Sequence, residues 1–254
     1  MLATVIYRTG WISLLVLLFG VLSFRFGWLP FRVSFSAYGL GLLGCALVVV
    51  AAGLAVFVTM ARGGDTGRWL LLLAVCVIPV AIVVARVGVA GFRAPPIHDI
   101  TTDTVNPPLY QFAQTQRRVD DNSLVYVGED VAALQRQAYP DIQTLQLAAP
   151  VAAVYAMVQE IIVERGWTVS GEAAAGETAL GEADAPREAN ALQVEAVATT
   201  PLFGFRDDVI IRVRPHGDGA EVDMRSASRL GVSDLGVNGA RVRSVLGELA
   251  TRFE

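Results

Sequence analysis

Hydrophobic positions run along this chain in two different ways. Over the first 94 residues they are nearly continuous, and from residue 95 onward they recur with a period. Three apolar runs, 11–29, 38–60 and 69–89, match the roughly 20 residues that a helix needs to cross a bilayer. The first contains Arg25 and is closed by Pro30, the second carries no charge, and the third holds Pro79 and, near its end, Arg86. Trp11, Trp28 and Trp69 fall at run ends, where amphipathic rings favour the membrane interface. Two further runs follow the first, so it reads as a span rather than a cleaved signal.

The second part reads as strands and helices of a water-soluble domain. Residues 93–108 form an irregular connector rich in Pro, Asp and Thr, 128–138 suit a short helix, and 142–147 suit a strand. Val151, Val154, Tyr155, Val158, Ile161 and Ile162 make one apolar face of a helix that Pro150 opens and Gly166 stops. A strand over 167–172 comes next, then a stretch, 173–189, too poor in apolar bulk to pack, which reads as a mobile loop. Three alternating runs follow, with Leu192, Val194 and Ala196 on one face of the first, Val209, Ile211 and Val213 of the second, and Val222 and Met224 of the third. The last two read as a hairpin whose paired residue numbers sum to 435. That register sets Val213 against Val222 and Ile211 against Met224 on the core side, and Arg214 against Glu221 and Arg212 against Asp223 on the other. It leaves 215–220 as the connecting loop. A final helix over 238–253 presents Val242, Val245, Leu246, Leu249 and Phe253 on one side. The predicted architecture is three transmembrane helices (1–94) followed by an α+β domain (95–254), an antiparallel sheet with two main helices on one face. A long terminal helix gripping a sheet is, in outline, also how helix-grip lipid-binding domains are built.

Charge separates the same two parts. Up to Ala94 there are seven arginines and one acid, Asp65, a net +6; the rest has thirteen arginines and 23 acids, a net −10. An acidic domain is a poor partner for nucleic acid, so none is expected. The membrane segment is unusually apolar, which raises the hydrophobic share to 54% and the mean hydropathy to +0.50. Cys45 and Cys76 both lie in apolar runs, so the soluble domain has no thiol for a disulfide, a nucleophile or a cysteine-based zinc site. Arginines flanking the spans do not orient the protein: Arg8, Arg62 and Arg68 lie on the N-terminal side, and Arg25, Arg32, Arg86 and Arg93 on the other.

Four segments resemble a known family. They are Pro95-Pro96-Ile97-His98-Asp99-Ile100-Thr101-Thr102-Asp103; Ala138-Tyr139-Pro140-Asp141-Ile142; Thr199-Thr200-Pro201-Leu202-Phe203-Gly204-Phe205-Arg206-Asp207-Asp208; and Arg225-Ser226-Ala227-Ser228-Arg229 running on to Ser233-Asp234-Leu235-Gly236-Val237-Asn238. In this order they resemble the bacterial domain-of-unknown-function family numbered 1499, and the preceding helices resemble its membrane-anchored subgroup. The resemblance implies a bacterial cell-envelope protein of the inner membrane with a periplasmic C-terminal domain. It brings no established activity and no catalytic residues.

Several side chains carry candidate chemistry. Asp207 and Asp208 open one hairpin strand, and Arg225, Ser226, Ser228 and Arg229 close the other, so pairing brings those two ends together; Asn238 is a further candidate. They suit either an internal ion-pair network or a polar site for a ligand. Arg25 and Arg86 emerge at the same membrane face, where they suit a lipid headgroup or dock the acidic domain. Phe203 and Phe205 flank Gly204 as core plugs or as rings at the membrane surface. The expected function is a non-catalytic domain that binds a lipid, a hydrophobic small molecule or an envelope partner protein. The alternative is a membrane-anchored hydrolase using His98, Asp99 and Asp103. No elbow surrounds the serines and no ligand cluster accompanies His98, so neither a cofactor nor a metal is expected.

Overall fold

The computed structural model describes residues 1–126, 128–174 and 190–254. The chain divides into two compact units, one of Met1–Val89 with Pro201–Gly204, the other of Ala90–Thr200 with Phe205–Glu254.

The chain begins with three helices, α1 (Leu2–Arg25), α2 (Phe31–Ala61) and α3 (Gly67–Phe92), of which Leu2–Arg25, Phe31–Ala61 and Gly67–Gly88 are long and apolar enough to cross a membrane and make up the first unit. At about 1.5 Å per residue, the 24 residues of α1 reach about 36 Å, more than the ~30 Å hydrocarbon layer. α1 begins at Leu2 rather than at Trp11, which therefore lies within the helix and not at its end. Trp69, the third residue of α3, falls at a helix end as expected and is buried in a cluster with Cys45, Val48, Ala52, Leu72 and Cys76. Gly88 breaks α3 at φ 62°, four residues before its end.

Small residues let α1 and α2 touch backbone to backbone. A Cβ on Gly20 would lie 2.5 Å from the Tyr38 amide nitrogen, and one on Gly41 2.5 Å from that of Leu17. Ser23 donates to Ser34 Oγ across the same seam at 2.9 Å. Apolar surface in lipid gains nothing from being hidden from water, so this close fit is what holds such helices together.

The second unit is an antiparallel sheet with its two longest helices on one face. Strands β3 (Thr168–Ala174), β4 (Leu192–Thr199), β5 (Arg206–His216) and β6 (Gly219–Ser228) form a meander. Two short strands, β1 (Asp99–Thr101) and β2 (Leu145–Leu147), both pair with the outer edge of β6, against residues 225–227 and 220–222. The β5–β6 register sets Val213 against Val222 and Ile211 against Met224, so every pair sums to 435 as the charge and apolar patterns predicted. The connecting turn is tighter than predicted. Pro215 and His216 pair with Ala220 and Gly219, and Gly217, at φ 55°, takes the first of only two turn positions.

Helices α6 (Val151–Glu164) and α7 (Val237–Arg252) bury Val154, Val158, Ile161 and Ile162, and Val242, Val245 and Leu249, against Val194, Ala196, Val209, Ile211, Val222 and Met224. This is the α+β arrangement predicted. Ala173 and Ala174 extend β3 by pairing with Gln193 and Leu192, so they are strand rather than loop. The rest of the expected mobile loop, 175–189, lies outside the described residues.

The opposite face of the sheet is not open to water. Residues 102–124, including the short α4 (Ala113–Gln116), lie across it, and Tyr110 and Ala113 pack on Ile210 and Ala227. A Cβ on Gly171 would sit 2.4 Å from the Phe112 ring, so the β3 bulge between Val169 and Gly171 leaves room for that cover. Helix α5 (Glu129–Ala138) closes the edge of β1. Its Gln135 side chain accepts from the Thr101 amide at 3.0 Å and donates to the Thr101 carbonyl at 2.6 Å, as a neighbouring strand would.

Candidate functional site

Because a cover lies over its second face, the sheet buries charge on that side. Arg225 is fully buried on β6, where burial alone would lower its pKa, but its bonds to Asp99 raise it above the usual arginine value. Its Nε and Nη2 reach Asp99 at 2.7–3.2 Å, and it donates to the Pro108 and Leu124 carbonyls at 3.0 and 2.8 Å. The Tyr110 and Tyr126 rings lie 5.0 and 5.3 Å from the guanidinium carbon. Asp208 is gripped by Arg229 at 2.7 Å and by Arg117 at 2.7 Å. Asp223 takes Arg212 at 3.1 Å and Arg214 at 2.7 Å, and accepts from Thr102 and Thr144 at 3.0 and 2.6 Å. Glu195 accepts from the amides of Gln111, Phe112 and Ala113; burial raises its pKa, and those three donors oppose the rise.

A second polar group joins the sheet to the start of α7. Ser226 donates to Asn238 Oδ1 at 2.7 Å, and Asn238 Nδ2 donates to Ser228 Oγ at 2.9 Å and the His98 carbonyl at 3.0 Å. Arg241 donates to Ser226 Oγ at 2.8 Å and to Asp207 at 2.6 Å. Asp234 caps the helix by accepting from the Gly236 and Asn238 amides, and burial raises its pKa.

The structure therefore gathers the residues singled out from sequence, but in two sets and with protein partners. Asp208 and Arg229 belong to the covered face together with Arg225. Asp207, Ser226, Ser228 and Asn238 belong to the α7 side. The partner of Arg225 is Asp99 on β1, not an acid of its own hairpin. Asp99 is thereby fully engaged, and Asp103 accepts from the Val105 and Asn106 amides and faces Arg212 and Arg214 at 4.0 and 3.9 Å. His98 is half-buried; burial lowers its pKa against the pull of Asp99. Among the described residues, no group of His, Cys, Asp and Glu is placed to hold a metal ion.

In the first unit, Arg25 ends α1 and donates to the Pro201 carbonyl at 2.9 Å. Phe203 is buried in that unit, edge-on to Tyr38 at 4.8 Å and tilted to Phe35 at 6.2 Å, the plug rather than the surface ring of the two readings. Arg86 is exposed on α3.

An open cleft of about 890 Å³ was not foreseen from sequence. Thr102, Asp103 and Thr104 after β1, Arg136 and Tyr139 at the end of α5, Gln143 and Thr144 before β2, and Arg214, His216 and Glu221 at the β5–β6 turn line it. The charged groups nearly balance. Arg214 is buried at its wall, bound to Asp223 and to Glu221 at 3.0 Å, while its Nε has no hydrogen-bond partner among the described residues. No sequence motif marks this cleft, because its lining comes from four separate segments.

A family model described as "Protein of unknown function (DUF1499)" matches residues 99–249. No curated protein and no solved structure matches the chain.

Proposed function

The chain belongs to this family of unknown function, numbered 1499, and from that premise we propose that it is a membrane-anchored, non-catalytic binding protein of the bacterial cell envelope. Its α+β domain takes the polar part of a small ligand into the cleft beside the β5–β6 turn. The observation that carries this reading is the cleft itself, about 890 Å³ and lined by hydroxyl, amide and balanced charged groups. That size lies within the range of small-molecule sites. Balanced Asp103 and Glu221 against Arg136 and Arg214 favours a zwitterionic or polyhydroxyl group, as in a lipid headgroup or a glycan. The seam between sheet and α7 offers no comparable space to an apolar guest, since Val242, Val245 and Leu249 are fully buried in it.

Catalysis by His98, Asp99 and Asp103 finds less support, because Arg225 holds both oxygens of Asp99. The inner-membrane location and a periplasmic domain rest on the family resemblance and on three helices of spanning length.

The test is mass spectrometry of the full chain released from native membrane fragments, resolving bound small molecules. A polar ligand or a headgroup-bearing lipid is expected on the native protein. It should be lost from the double variant Arg136→Ala, Gln143→Ala, whose melting temperature stays close to native because both residues are exposed. Retention by that variant, or no bound molecule in the native protein, overturns the cleft as the site.

A further inference from the structure

We infer that the loop between β6 and α7, residues 230–237, inserts its apolar side chains into the interfacial layer of the bilayer that α3 leaves. This inference does not depend on the cleft ligand.

The loop displays Val232 (77% exposed), Leu235 (40%) and Val237 (44%) to the outside. Its one acid, Asp234, is buried and occupied in capping α7. No exposed charge interrupts the patch. Leu235 also stands at φ 52°, a left-handed conformation that a bulky residue rarely adopts.

The position of the loop follows from chain continuity. A Cβ on Gly236 would lie 4.0 Å from Gly91 Cα, Ser233 donates to the Pro95 carbonyl at 3.2 Å, and the Asp234 amide donates to the Ile97 carbonyl at 3.2 Å. The loop is thus fastened along the segment where α3 ends. The spanning part of α3 ends at Gly88. Three residues from Gly88 to Gly91 reach at most about 11 Å. The interfacial layer beyond the hydrocarbon is roughly 5–7 Å deep on each side. Gly91, to which the loop is tied, therefore follows the spanning part of α3 by no more than about 11 Å of chain. Phe92 (64% exposed) and the exposed Arg93 adjoin it, adding an aromatic ring and a cation for lipid phosphate. Water-exposed apolar side chains at that depth gain free energy by entering lipid, which accounts for a loop that presents valine and leucine outward.

The test uses the full chain in vesicles with a single added cysteine, Val232→Cys in one variant and Leu235→Cys in another, carrying an environment-sensitive fluorophore. Cys45 and Cys76 are fully buried, so labelling is confined to the added site. Leu47→Cys, exposed on the lipid side of α2, provides the in-bilayer reference. Labels at 232 and 235 are expected to be quenched strongly by lipids brominated near the headgroup and to be shielded from aqueous iodide relative to free dye. Iodide quenching equal to that of free dye, with no quenching by brominated lipid, overturns the inference.

Discussion

Asp99 and Arg225 stand 126 positions apart, yet each satisfies the other inside the covered face. Removing one charge of such a pair leaves its partner buried and uncompensated, at a cost of about 3–5 kcal/mol. Asp99→Asn is expected to lower the stability of the full chain in detergent by that amount, read from the denaturation midpoint. The double variant Asp99→Leu, Arg225→Met should recover only part of it, because the Pro108 and Leu124 carbonyls also lose their donor. Glu195 allows a test of sign. Its pKa is raised in the folded state, so folding favours the protonated form and this contribution to stability falls as pH rises through the folded value. Glu195→Gln lacks that dependence. The melting temperature of the native protein minus that of the variant is therefore expected to rise as pH drops from 7 towards the ordinary glutamate range. A difference that falls as pH drops would mean that the amide donors outweigh burial.

At the scale of elements, two rules of packing operate in one chain. Sheet and helices of the α+β domain are joined by apolar surface removed from water, and the β5–β6 pair is aligned because its apolar and charged positions both select one register. The α1–α2 seam depends instead on glycines that admit a neighbouring backbone. Gly20→Val is expected to separate these helices, lowering the melting temperature in detergent by several degrees and speeding proteolysis. Gly53→Val, where an added Cβ meets nothing within 4 Å, should leave both unchanged. Equal effects of the two would show that helix propensity rather than close approach holds the seam.

For the whole molecule, the division of charge matches the division of structure: an arginine-bearing unit of spanning helices and an acidic domain with its own core. Three arginines against four leave the orientation open, so it has to be measured. Alkaline phosphatase fused after Glu254 is expected to be active, as a periplasmic C-terminal domain requires. An inactive fusion, with a cytoplasmic reporter active at the same place, would reverse the orientation and move the cleft ligand to the other side of the membrane.

Local sequence alone determined the spans, through unbroken apolar runs, and the helices around Val158 and Val245 and the hairpin register, through apolar positions that repeat within one or two neighbouring elements. The partners of buried charges were beyond its reach. Arg212, Arg214 and Asp223 alternate with core residues as solvent-facing positions do, and only the segment 102–124 folding across the sheet makes that face an interior. β1 is three residues long, too short to show a period, and exists because the edge of β6 and the Gln135 amide complete its hydrogen bonds. The cleft is likewise a tertiary product. Its four lining segments meet because β1 and β2 share one edge of β6, a pairing between residues far apart in the chain that no local pattern encodes.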